Sequence, residues 1–169
     1  MKSLYCFLLL FCSVLLVIGG CSVEPTPDGF PKLYPVTVTI KQEGKELPGA
    51  TVRLVPMYES NIWTTGAVTD SQGKAVLRTH GKYSGAPAGK FKVCVTKAVI
   101  EGRKLYSDME KAENPKLKDT LGEEYYVIAK KYDEPANTPF EVEVVANNAV
   151  FEFDIPETVK TIIPYGGVQ

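Results

Sequence analysis

The chain has 169 residues, with 19 basic and 20 acidic side chains, a formal net charge of −1 and 44% hydrophobic residues. That length suits one domain, and the even charge offers neither a basic face for nucleic acid nor an acidic solvating tail. Four cysteines and a single histidine leave little material for a disulfide framework or a metal centre.

In chain order, Met1-Lys2-Ser3 is a short cationic head and Leu4 to Ile18 an almost unbroken apolar run of 15 residues, ahead of Gly19-Gly20-Cys21-Ser22. A bilayer core asks for about 20 residues, so the run reads as a secretion signal rather than a membrane span. The residues Ile18-Gly19-Gly20-Cys21 resemble the bacterial lipobox, in which lipid is placed on the cysteine thiol before cleavage. The resemblance implies that residues 1–20 are removed by a cut between Gly20 and Cys21. It also implies a diacylglyceryl thioether on Cys21 with an acylated amino group, enough chains for stable anchoring. Ser22 stands where aspartate would imply inner-membrane retention, which makes the expected location the cell envelope at the outer membrane. Cys6 and Cys12 leave with the signal and Cys21 carries lipid, so Cys94 remains alone.

Residues 21–35 carry prolines at 25, 27, 31 and 35 and read as a lipidated cysteine on a stiff tether that blocks helix and sheet. From Val36 the apolar rhythm has period two: Val36, Val38, Ile40; Val52, Leu54; Val76 with Arg78 against Ala75, Leu77 and Thr79; Phe91, Val93, Val95; Val142, Val144; Phe151, Phe153, Ile155. These are strands with one buried face, and the alternation puts Cys94 on the less buried face of its own. Turn chemistry separates them at Gly44, Pro48-Gly49, Asp70-Ser71-Gln72-Gly73 and Asn147-Asn148. Ala98 to Lys131 breaks the rhythm and reads as a long inserted loop in which the one place for a short helix is Ser107 to Glu113. Residues 159–169 read as a tail.

Three stretches resemble the transthyretin-like, carboxypeptidase-regulatory-like β-sandwiches. They are Gly44 to Val52 with Val55-Pro56, Gly66 to Ala75 with an aspartate before its turn, and Gly85 to Val93 with a proline-glycine turn. Lys131 to Thr138 is a weaker echo. The resemblance implies an all-β domain over residues 36–158, an antiparallel sandwich of about seven strands, with residues 98–131 inserted. It implies a non-catalytic module for folding support, adhesion, or contact with an envelope protein or glycan. His80 has no HExxH context. One histidine serves neither the hydroxyisourate hydrolases nor the intradiol dioxygenases of related folds, so no enzyme, cofactor or metal is expected. Asp70 lacks the alternating ligands of a calcium loop and reads as an Asx turn. The candidate ligand contacts are the aromatics Tyr58, Trp63 and Tyr83, whose rings join a large apolar face to a polar tip and suit sugar stacking.

Overall fold

A computed structural model describes Pro27, residues 29–58, residues 62–147 and residues 149–164. The expected signal, the Gly20 to Cys21 cut and the lipid-bearing thiol lie outside the described residues. The chain divides into two units, Met1–Phe30 and Pro31–Gln169. In the first, Phe30 N donates to Pro27 O at 3.1 Å, closing a turn.

The regular structure of the second unit is mostly strand. It opens with β1 (Leu33–Tyr34), β2 (Val36–Gln42), β3 (Lys45–Glu46), β4 (Thr51–Pro56) and β5 (Thr65–Val68). There follow β6 (Lys74–Val76), β7 (Arg78–Thr79), β8 (Tyr83–Ser84), β9 (Ala86–Pro87) and β10 (Gly89–Thr96). After β11 (Ala98–Glu101) come helix α1 (Asp108–Glu113), β12 (Glu123–Tyr126), a 3-10 turn at Lys130–Tyr132, β13 (Glu141–Val144), β14 (Ala149–Ile155) and β15 (Thr161–Ile162).

Two sheets carry the core. One is six-stranded, in the order β13-β10-β4-β5-β7-β8; the other places β14 along one edge of β2 and both β3 and β6 along the opposite edge. Val36, Val38 and Ile40 of β2 join Val52, Leu54, Phe91, Val93, Val95, Val142 and Val144 of the larger sheet in one buried cluster. Full burial of each such side chain is worth about 1.5–3 kcal/mol relative to exposure. β6 pairs with β2 and β7 with β5, so one stretch of chain passes from sheet to sheet at Leu77. Leu77 is fully buried there, and its N–H donates to Val36 O at 3.0 Å.

The turns follow from local chemistry. At the β2-β3 hairpin both central residues have positive φ, Glu43 at 53° and Gly44 at 76°, the backbone of a type I′ turn. Asp70 Oδ1 accepts from Gln72 N at 2.9 Å and Lys74 N at 3.0 Å. These bonds hold its carboxyl below the ordinary aspartate value, as expected of an acceptor fixed by backbone donors. Gly73 closes that turn at φ 70°, and its carbonyl accepts from Ile40 N at 2.8 Å.

Several sequence expectations are corrected. The strands are not all antiparallel, because β14 runs parallel to β2 over seven paired residues, Ala149↔Val36 to Ile155↔Gln42. The stretch read as tether is already in a sheet at its end: Leu33 and Tyr34 pair with Pro87 and Ala86. Pro31 and Pro35 flank Leu33-Tyr34 in the chain, and Pro87 takes a position in a two-stranded ladder, where each strand is an edge.

Nor is segment 98–131 a plain loop. β11 pairs with β12, and β12 with β15, so the expected tail supplies the third strand of a small sheet. Helix α1 forms where a short helix was expected, with Ser107 as N-cap and Glu110 completing the capping box, and it has no buried residue. Cys94 is fully buried. The Lys130–Tyr132 turn packs against β10, and Thr138 Oγ1 donates to Val93 O at the strand's edge at 2.8 Å. Burial pushes the Cys94 thiol up from its ordinary value, the opposite of what a nucleophile requires.

Candidate functional site

A cleft of about 380 Å³ opens beside the larger sheet, where β4 leaves it and β5 enters. Its size falls in the range of small-ligand sites, about 300–1,000 Å³. Val55, Pro56 and Ile62 supply an apolar wall, Trp63 a ring, and Arg53, Arg78 and His80 the polar groups.

Strand register explains the composition. Arg53 pairs with Gly66, and Gly66 with Arg78, so the three form one cross-strand row on the same face. Their neighbours Leu54, Thr65 and Thr79 point the other way and are buried. Thr79 Oγ1 donates to Gly85 O at 2.8 Å, which leaves Thr65 Oγ1 as donor in the 3.0 Å contact between the two hydroxyls. This polar pair is satisfied and holds β5 against β7, as a buried hydroxyl requires.

Gly66 forms the floor of the cleft because nothing larger fits: a Cβ at that position would stand 2.6 Å from Val52 O. On one side Arg53 Nη2 donates to Asp133 Oδ1 at 2.6 Å, fixing its fork. On the other, Arg78 Nη2 donates to Lys82 O at 2.9 Å. His80 closes the end of the cleft with a left-handed backbone, φ 52°, a conformation in which histidine is over-represented. Its N–H donates to Thr64 O at 2.8 Å, and its Nδ1 lies 3.1 Å from Thr64 Oγ1. Trp63 meets the His80 ring edge-on at 5.3 Å.

Of the three aromatics singled out in the sequence, Trp63 lines the cleft, whereas Tyr58 and Tyr83 are not among its lining residues. Tyr58 is 66% exposed. Tyr83 pairs with Thr79, and since Thr79 faces inward, register turns Tyr83 away from the arginine row. Just after the insert, Tyr132 is buried and stacks on Phe140 at 5.3 Å. Phe140 in turn lies 4.6 Å from Phe153. Tyr126 is 40% exposed.

The arginines were not singled out from the sequence. A signal was present: the chain has three arginines against sixteen lysines, and two of the three bracket the Trp63 segment. A second, smaller cleft of about 180 Å³ lies between Val95, Ile128, Lys130 and Ile162. Among the described residues no group of three or more His, Cys, Asp or Glu side chains is placed to hold a metal, and no helix is long and apolar enough to cross a membrane. Compared with known proteins, the chain matches no family model, no curated protein and no solved structure.

Proposed function

We propose that this chain is a lipid-anchored, non-catalytic binding module of the cell envelope, held at the outer membrane through Cys21 and contacting a glycan at the Trp63 cleft. Its domain is read as a transthyretin-like β-sandwich of about seven principal strands, β2, β4, β5, β6 with β7, β10, β13 and β14. The apolar cluster shared by two sheets supports that reading, as does the passage of one strand between them at Leu77. The observation that carries the binding function is the cleft itself, where Trp63 is half-buried beside an apolar wall and three polar side chains. A ring held in that way offers a stacking face at small entropic cost, with hydrogen-bonding groups at its rim.

The test is a glycan array probed with the lipidated protein in detergent, beside its Trp63→Ala variant. Signal that disappears in the variant supports the function; a blank array, or signal indifferent to Trp63, refutes it.

A second reading, a protein partner at the insert, has one observation in its favour. Leu105, Met109 and Leu121 are 57%, 74% and 62% exposed within one short segment, more apolar surface than a solvated excursion requires. Replacing residues 111–122 with a Gly-Ser linker tests it: unchanged partners in a pull-down from envelope extract by the folded variant would remove the insert from any interface.

A further inference from the structure

We infer that the ligand of the Trp63 cleft is an acidic saccharide, one whose carboxylate is received between Arg53 and Arg78. The inference rests on the glycan reading of this cleft and specifies its ligand class.

The first ground is the choice of cation. Sixteen of the chain's nineteen basic residues are lysine, yet the two in this cleft are arginine. Arginine differs from lysine in its planar fork of donors, which matches a carboxylate with two parallel hydrogen bonds. Solubility or general charge balance would be met by lysine.

The second ground is spacing. Arg53 and Arg78 sit in one row with Gly66 between them, so their Cα atoms are about 10 Å apart across two strand spacings. Each guanidinium is turned outward in the structure, Arg53 to Asp133 and Arg78 to Lys82 O, but each side chain is long enough to swing inward from that distance, and the glycine leaves no side chain in the gap. With both swung inward, a planar anion has room to sit over the Gly66 backbone with a guanidinium on each side.

The third ground is charge. Among the described residues that line the cleft there is no carboxylate, although the chain as a whole is slightly acidic. Arg53 is oriented by Asp133. Arg78 donates to a backbone carbonyl and has no carboxylate partner among the described residues, which leaves most of its five N–H donors for a ligand. A wall of Val55, Pro56, Ile62 and Trp63 would serve a bare inorganic anion poorly but suits the C–H face of a sugar ring. Carboxylate and ring are thereby recognised at opposite sides of the same opening.

The experiment is an array of uronate oligosaccharides printed beside their neutral methyl esters, probed with the lipidated protein in detergent, followed by titration of the best acid in solution. The acid should bind at least about tenfold more tightly than its ester, the scale of one charge-assisted hydrogen bond, and should weaken as salt is raised. Arg78→Gln should erase the preference for acid over ester without moving the melting temperature, and Arg78→Lys should restore only part of it. Equal binding of acid and ester would overturn the inference while leaving the glycan function standing. Binding of neither, with Trp63-dependent signal elsewhere on the glycan array, would do the same. Competition by inorganic phosphate at matching concentration would show a simple anion site and also overturn it, whereas a wholly blank glycan array is the separate result that ends the function.

Discussion

Gly49 and Gly73 make a matched pair from which the cost of a backbone collision can be isolated. Both are turn glycines with nearly the same left-handed backbone, φ 68° and 70°. A Cβ on Gly49 would meet nothing within 4 Å, whereas one on Gly73 would stand 2.5 Å from Ile40 O and 2.9 Å from Leu47 N. Those two atoms are themselves bonded, Leu47 N donating to Ile40 O at 3.0 Å. Gly73 therefore closes the junction at which β3 and β6 meet along one edge of β2.

Gly49→Ala should cost only the left-handed strain, about 1–2 kcal/mol, offset by about 0.4–1 kcal/mol through the stiffer unfolded chain. Gly73→Ala carries the same strain and offset. It adds overpacking of about 1–3 kcal/mol and the weakening of at least one backbone bond worth about 0.5–1.5 kcal/mol. The expected losses are about 0.5–1 kcal/mol for Gly49→Ala and about 3 kcal/mol for Gly73→Ala, a large share of a typical total near 5–15 kcal/mol. Urea unfolding with an unchanged m-value would measure both. Equal losses at the two positions would refute the argument, since backbone conformation alone would then account for Gly73.

Further expectations concern the anchor, the acid limb and the insert. Cys21→Ser should abolish processing and membrane attachment together, because the thiol is the lipid acceptor; a variant that is still cleaved and still partitions into detergent phase would refute the lipoprotein reading. Asp70 has its folded pKa below the ordinary value. Its contribution is therefore complete above the unfolded pKa of about 3.9 and is lost as pH falls through the lower folded value. Asp70→Asn should accordingly lose less stability than wild type between pH 5 and about pH 2; parallel curves would show that the two backbone bonds do not hold the charge. Hydrogen exchange across residues 111–122 should be faster than along β10, since α1 has no buried residue and exposed backbone bonds open readily. Equal protection would mark a packed unit.

What could be read from the chain was what period two and turn chemistry encode locally. Val36, Val38 and Ile40, or Phe91, Val93 and Val95, announce a buried face without knowledge of any partner. Asp70 and Gly73 announce their turn because acceptor, donors and glycine lie within five residues.

The burial of Cys94 is not legible in the sequence because the turn that packs against β10 comes from Lys130–Tyr132, far along the chain, and alternation describes one strand rather than what lies on top of it. The small sheet of β11, β12 and β15 escaped notice for another reason. Strands such as Glu123–Tyr126 have no fully buried residue, so no clean apolar alternation marks them. Its third strand lies far away, at Thr161–Ile162. The cleft depends on register: Arg53 and Arg78 lie 25 positions apart and become neighbours only when β5 is set between β4 and β7.

The parallel pairing of β14 with β2 also bears on how the domain carries load. A pull on the chain ahead of β1 first meets the two-residue pairing of β1 with β9, which separates at small force. The pull then runs along the axis of β2, where seven registered residues on β14 and the ladders to β3 and β6 resist from both edges. Bonds loaded along the strand direction share the stress instead of opening one after another from an end. Forced detachment is governed by the height of the barrier to such a rupture rather than by equilibrium stability, so a domain tethered by its N-terminus would keep its core under drag that a zipper-like hairpin would not withstand.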